Sequence, residues 1–338
     1  MFILFLTASC NHKEFCYYHQ HNTRVRINVD WSRFSQDTPT GMTVMVYPAQ
    51  GGEPFRHLTN TTSHAYVHLP VGYYHTITFN QSEGEIGSVT FKGMDSYETA
   101  AVISNSTKSA WYKTKAEDEK LAEGPDWIGT DRQEGAEVTQ EMLDGTAEYT
   151  LAQANMLMSR APMEDYIIAE HTPENIIYTI TVKVHIKGFQ NLRSARASLT
   201  GLAEGYFLGK GKYTESIVTQ LLENWTATVD PDDPTIGTIS TSMRCFGLPD
   251  GHNNLPEENQ FNLTILLADN VTKVNKIFQV GDKFTRDSET EVNLSLNLNL
   301  ELWLDEPLPD VIPEGSVSSG FDAKVDDWGE EIDYEIGI

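Results

Sequence analysis

The sequence is short of cysteine, of positive charge and of long apolar runs, and each shortage excludes something. Three cysteines in 338 residues, Cys10 and Cys16 close together and Cys245 far away, cannot build the disulfide framework that holds small secreted domains. Stability has to come from packed apolar cores, for which a chain of this length has ample material. Lysine and arginine number 24 against 49 acidic residues, a formal charge of −25. A field of that sign repels nucleic acid and anionic lipid, which excludes functions that work through basic patches. Beyond residue 10 no apolar stretch approaches the roughly 20 residues that a membrane-crossing helix needs. There is no HExxH motif and no GxSxG nucleophile elbow.

What the sequence does contain is alternation. Val25, Ile27 and Val29 point away from Arg24, Arg26, Asn28 and Asp30, the pattern of a half-buried strand closed by Trp31. "MTVMVYPAQGG" predicts a second strand, and "AYVHLPVGYYHTITFN" a pair broken at Pro70 and Gly72. Strands divided by turn residues about every ten positions predict an all-β, antiparallel sandwich. The polar region from Ser104 to Glu137 reads as surface loop or short helix, and "TQEMLDGTAEYTLAQANMLM" as a helical stripe interrupted at Gly145 and Thr146. A second series opens at Ile177, where Tyr178, Ile180, Val182, Val184 and Ile186 alternate with Thr179, Thr181, Lys183 and His185 until Gly188. In "VNLSLNLNLELWL", Val292, Leu294, Leu296, Leu298, Leu300, Leu302 and Leu304 share one face; a helix would scatter them around its axis. "APMEDYIIAEHTPEN", residues 161–175, has two prolines and several acids and reads as a linker. The expected organisation is a signal and tether over 1–22, an N-terminal sandwich domain over 23–165 and a C-terminal one over 166–338. In the tail, Phe321, Ala323 and Val325, then Ile332, Tyr334 and Ile336, predict two short acidic edge strands.

The first residues, "MFILFLTASC", place an apolar run and the small residues Ala8 and Ser9 before Cys10. That order resembles a bacterial lipobox, and it makes Cys10 the expected lipidation site and first residue of the mature chain. Thr7 stands where such signals usually carry an aliphatic residue, and no basic residue precedes the run, so a longer signal peptide is expected upstream. A zinc reading would use Cys10, His12, Cys16, His19 and His21. Their spacing argues against it: lipidation consumes Cys10, and no second Cys/His cluster follows to close a tetrahedral shell.

Other constellations carry two readings each. "DPDDP" at 230–234 offers oxygens to calcium but lacks the spaced alternation and glycine of an EF-hand loop, and its prolines mark a turn. "GKGKYT" at 209–214 imitates a phosphate loop without its full pattern, and reads better as a hairpin turn. His57, His64, His68 and His75 recur in the first half, with His68 and His75 flanking a turn; they read as exposed cross-strand polar residues or as a cluster formed across a hairpin. Fourteen tyrosines and six tryptophans are either core residues or platforms for stacking sugars.

The block "CYYHQHNTRVRINVDWSRF", the second-half opening "YTITVKVHIKGFQNLRSARASLTGLA" and the tail "GFDAKVDDWGEEID" together resemble the fimbrillin-related lipoproteins of the Bacteroidetes, in particular the DUF5119 family. The resemblance spans nearly the whole chain and rests on strand signatures, not on catalytic residues. It implies two tandem transthyretin-like (Greek-key) β-sandwich domains, exported and lipid-anchored at the outer membrane, as in anchor or accessory subunits of surface fimbriae. In polymerising subunits of such fimbriae an N-terminal strand is removed by proteolysis and the groove accepts a neighbour's strand; here Arg24 and Arg26 lie inside the first predicted strand. The expected function is that of a non-enzymatic surface lipoprotein in fimbria assembly or cell adhesion. Its expected partners are other fimbrial subunits or surface proteins, met by strand pairing, and the membrane through lipid at Cys10, with no cofactor, metal or nucleic acid. The alternative is a surface glycan-binding lipoprotein. Exposed aromatics aligned on one face would mark the glycan binder, and an open groove or unpaired edge strand in the second domain the assembly subunit.

Overall fold

A computed structural model describes residues 22–34, 36, 38–114, 119–145, 165–286 and 296–315. The first strands are β1 (Thr23–Val29), β2 (Met42–Pro48), β3 (Phe55–Thr59), β4 (His64–Leu69), β5 (Gly72–Asn80), β6 (Val89–Lys92), β7 (Ala101–Ser104) and β8 (Gly129–Val138). Next come β9 (Tyr166–His171), β10 (Glu174–Asn175), β11 (Tyr178–Lys187), β12 (Leu192–Ala203), β13 (Gly205–Phe207), β14 (Lys212–Tyr213) and β15 (Ile217–Leu222). The series ends with β16 (Thr226–Val229), β17 (Ile236–Cys245), β18 (Gln260–Leu267), β19 (Lys273–Gln279), β20 (Thr285–Arg286) and β21 (Asn297–Trp303). The fold is all-β and built from packed sheets, as the alternation predicts.

β1 is the middle strand of the sheet β4-β1-β9, which faces the five-stranded sheet β10-β8-β5-β2-β3. Val25, Ile27 and Val29 enter the core between them, with Val44 and Val46 from β2 and Ala65, Val67 and Leu69 from β4. Burying such a side chain contributes about 1.5–3 kcal/mol, and a slip of one residue would expose the whole set, so the pattern fixes both strand and register. β2 is buried on both faces: Val44 and Val46 enter this core, Met45 and Tyr47 the core beneath the sheet β14-β13-β7-β6. Its unbroken apolar run is what a strand covered on both sides needs.

The later strands form a second sandwich, β16-β17-β11-β21-β20 against β15-β12-β18-β19. Ile180, Val182 and Val184 of β11 and Leu298, Leu300 and Leu302 of β21 meet Ala197 and Leu199 of β12 and Phe261, Leu263 and Ile265 of β18. The expected leucine alternation holds throughout β21, while Val292 and Leu294 lie outside the described residues. β11 stops at Gly188, whose φ of +71° and contact with the backbone of Leu308 leave no room for a Cβ.

Pairing departs from the sequence reading in three places. The polar region 104–137 contains most of β8, paired with β5 along its length; only Ala136 and Val138 of β8 enter an apolar core, so the strand carries no hydrophobic alternation to betray it. The stretch read as a linker contains β9 and β10, which pair with β1 and β8; by pairing, the first group of strands extends to Asn175 instead of stopping at 165. β4 and β5 separate into different sheets at Pro70 instead of forming a hairpin. Of the helical stripe read over 139–158, residues 140–145 are helical and 146–158 lie outside the described residues.

The two halves are joined by a sheet that neither owns. β6 and β7 pair with β13 and β14 in the order β14-β13-β7-β6. Under it, Tyr47, Ile77, Phe79 and Val102 from the first half pack with Ile177, Ala203, Leu208 and Phe246 in a third apolar core.

Candidate functional site

The closest approach to catalytic geometry is a cluster that the sequence reading did not single out. β9 delivers His171 between Asp131 of β8 and Thr76 of β5. His171 Nδ1 lies 3.2 Å from Asp131 Oδ2 and Nε2 lies 2.9 Å from Thr76 Oγ1. The Thr172 amide donates to the same carboxylate oxygen at 2.8 Å. Burial by itself raises the Asp131 pKa, but the donors from His171, Thr172 and Arg132 outweigh it and hold the carboxyl below its ordinary value. The Thr76 hydroxyl shares a hydrogen bond with Nε2 and also lies 3.5 Å from the Gln133 carbonyl, to which it can donate. Hydroxyl, imidazole and carboxylate in that order match the connectivity of a nucleophile, its base and an orienting acid. Access decides what the cluster does here: Thr76 is 0% exposed and His171 1%, so no substrate reaches Oγ1. The three groups tie β9 across to the facing sheet. His171 stands in the stretch read as a linker, and no spacing in the sequence links it to Thr76 or Asp131.

The residues that the sequence did single out are kept apart. His64 and His68 lie on β4, His64 edge-on to Tyr66 at 5.1 Å, whereas His75 of β5 stacks on Tyr97 at 4.7 Å. His57 sits on β3, where burial lowers its pKa. In the aspartate-rich turn, Asp230 Oδ1 accepts from the amides of Asp232 and Asp233, and Asp233 Oδ1 from the amide and hydroxyl of Thr235. These carboxylates build the turn itself. "GKGKYT" forms part of the β13–β14 hairpin, with Tyr206 opposite Tyr213 and Lys212 bonded to Asp250 at 2.7 Å. Among the described residues no group of three or more His, Cys, Asp and Glu side chains is placed to hold a metal ion. Cys245 is buried in the second core, which pushes its thiol pKa up to about 12. Cys10, His12, Cys16, His19, His21 and the tail from Phe321 to Ile338 lie outside the described residues.

On the surface, the two discriminating features separate. Among the described residues the exposed aromatics are Tyr73 on β5 and Trp303 on β21, in different sheets, so they make no aligned row. Edge strands are present: β16 and β19 each border a sheet of the second sandwich, with no further strand beside them among the described residues. β15 is not free in this way, because its Thr219 pairs with Leu121 and exchanges bonds with Lys120 and Ala122. β19 spans seven residues, with Ile277 exposed and Lys273 and Lys276 half-buried. Lysines on an edge discourage indiscriminate pairing without closing the edge to a matched strand.

β1 has no such edge. Arg24 and Arg26 lie within its pairing to β4 and β9, and both are held. The Arg24 guanidinium lies 3.6 Å from the centre of the Tyr66 ring; Arg26 and the Tyr66 hydroxyl donate to Asp165 at 3.0 and 2.8 Å.

Residues 9–223 match the family described as Domain of unknown function (DUF5119). The chain belongs to DUF5119. This DUF5119 chain has no match among curated proteins, but solved structures align with it. A protein from Bacteroides ovatus described as a candidate adhesin is similar over 86% of this chain and 94% of its own, with a TM-score of 0.54 at 14% identity. The fimbrial anchor protein Mfa2 from Porphyromonas gingivalis aligns over 83% of this chain and 90% of its own, with a TM-score of 0.48 at 8% identity. The tip fimbrial protein Mfa3 of the same organism, in a C-terminally truncated form, aligns over 80% and 84%, with a TM-score of 0.34 at 11% identity.

Proposed function

We propose that this DUF5119 chain is a non-enzymatic surface lipoprotein that serves as a fimbrillin-like anchor or accessory subunit in fimbria assembly or cell adhesion. The observation that carries the reading is the place of β1. A subunit that polymerises by losing its N-terminal strand needs that strand to be dispensable. Here β1 is paired on both sides and supplies Val25, Ile27 and Val29 to the first core. Removing it would strand β4 and β9 and forfeit about 1.5–3 kcal/mol for each buried side chain. A chain that keeps its first strand suits a terminal or accessory position, not the repeating one.

In this reading the chain is two sandwich units, the second beginning at Tyr178, welded by the sheet they share. Lipid on Cys10 holds it at the outer membrane, and other fimbrial subunits or surface proteins meet it by strand pairing, for which the β19 edge, without a further strand beside it among the described residues, is a seven-residue site in the second unit. Fractionation tests the anchor. Cys10→Ala should leave the fold intact and release the protein from membranes; a variant that stays membrane-bound through a carbonate wash overturns the lipid assignment. Crosslinking in intact cells tests assembly. A photoreactive residue at Ile277 should capture a fimbrial subunit, and capture of none would defeat the subunit reading.

A further inference from the structure

Among the described strands only two ladders are parallel, and they involve the first strand and the last: β1 with β9, and β21 with β11. Apart from the single parallel bridge of Leu121 with Thr219, every other pairing among the described residues is antiparallel, so the exception asks for a physical consequence.

Strand direction supplies it. β9 runs beside β1 in the same sense and continues through β10 and residues 176–177 into β11. Val25, two residues into β1, pairs with Tyr166, the first residue of β9, so β1 begins at the pole of the first sandwich remote from the junction. β11 starts at Tyr178, whose ring lies 5.6 Å from Tyr213 of the shared sheet, and runs away from the junction. β21 follows it in the same sense and ends with Trp303 opposite His185. The residue before β1 and the residue after β21 therefore lie at opposite poles. Tension between them pulls β1 lengthwise past β9, and β21 lengthwise past β11.

Lengthwise pulling strains all the hydrogen bonds across a strand together, whereas opening a sheet from one end breaks them pair by pair. Five residues of β1 are registered with β9 and six with β4. Seven of β21 are registered with β11. Load crossing these ladders bypasses residues 30–165 and 188–296. The connection between the two pairs is itself fastened: the Ile177 amide donates to Asn175 Oδ1, the Asn175 side-chain amide to the Ile177 carbonyl, the Ile176 amide to Ile128 and the Tyr213 hydroxyl to the Ile176 carbonyl. Arg26 bonds Asp165 just ahead of β9, and His171 ties the other end of β9 to β5 and β8.

We propose that this chain has a further function as a load-bearing link, in which tension between its two poles passes through two parallel strand pairs loaded in shear. The proposal rests on the anchor reading only for the membrane tether at the first pole; at the other pole it concerns a pull applied to the chain after β21, not one applied at the β19 edge.

Optical-tweezer pulling of the full chain, with Cys10 and Cys16 replaced by serine, tests it. Handles on Asn22→Cys and Asp305→Cys load both pairs lengthwise; Pro309→Cys is the alternative far handle if the substitution at 305 disturbs the fold. Handles on Asn22→Cys and Val71→Cys, which the pairing of Thr23 with Leu69 places together, open the first sheet from its end. At one pulling rate, the first rupture from pole to pole should require a several-fold higher force than the end-opening rupture, because forced unfolding reports the barrier along the direction pulled. Equal or lower force from pole to pole overturns the proposal. The purified chain reports the clamp alone, whereas fractionation of Cys10→Ala reports the anchor, so the two can fail separately.

Discussion

At the scale of single residues, the Thr76–His171–Asp131 cluster and one glycine carry the sharpest tests. Thr76→Val keeps the shape of the side chain but leaves His171 Nε2 buried without its hydroxyl partner. The expected loss is about 1–3 kcal/mol, the cost of an unsatisfied buried group, measured by urea denaturation. An unchanged midpoint would show that Nε2 does not depend on the threonine. Asp131 gives the corresponding pH dependence. Its folded pKa lies below the ordinary carboxylate value, so its contribution is fully present above about pH 4 and fades as pH falls through the folded value. Asp131→Asn should therefore lose most stability relative to the parent at neutral pH and progressively less at acid pH. A gap that widens on acidification would reverse the sign and refute the assignment. Gly201 sits at the register shift in β12 with φ +77°, against the carbonyl of Glu258. Gly201→Ala should cost about 1–3 kcal/mol through backbone strain, read from the same denaturation curves.

At the scale of elements, alternation is a sound guide where one face of a strand is wet and a poor one elsewhere. β1, β11 and β21 were legible because each sends every second side chain into a core. β8 was not, because its place is fixed chiefly by backbone pairing, and β9 was masked by the acids and prolines around it. Leu300→Ala, in the core face of β21, should cost about 2–5 kcal/mol. Lys183→Ala, on the outer face of the neighbouring strand β11, should change stability by no more than about 0.5 kcal/mol. Similar losses at the two positions, measured by chemical denaturation, would contradict the observed facing of the sheet.

At the scale of the whole molecule, the shared sheet makes the halves interdependent. Phe246, fully buried beneath it, packs with residues from both sides of the junction. Calorimetry of residues 22–315 should therefore show a single transition, and Phe246→Ala should lower it as a unit. Two transitions, with only one moved by the substitution, would mean that the sandwiches unfold independently. An isolated fragment of residues 22–175 would lack β13 and β14 and leave Phe79 and Val102 uncovered, so it should bind a hydrophobic dye that the longer chain does not.

The sequence by itself determined the all-β class, the inward face of its best alternating strands and the family, because a two-residue period with a wet and a dry face is local information. Its charge of −25 opposes binding through basic patches, and among the described residues no helix is long and apolar enough to cross a membrane. Which strands became neighbours was decided by tertiary structure alone. The placing of β9 beside β1 across the sequence between them, the parting of β4 from β5, the sheet built from both halves and the meeting of Thr76, His171 and Asp131 all depend on contacts between distant segments. Such contacts are chosen by how whole faces pack and by which backbone groups remain to be satisfied, and neither quantity belongs to any one stretch of sequence.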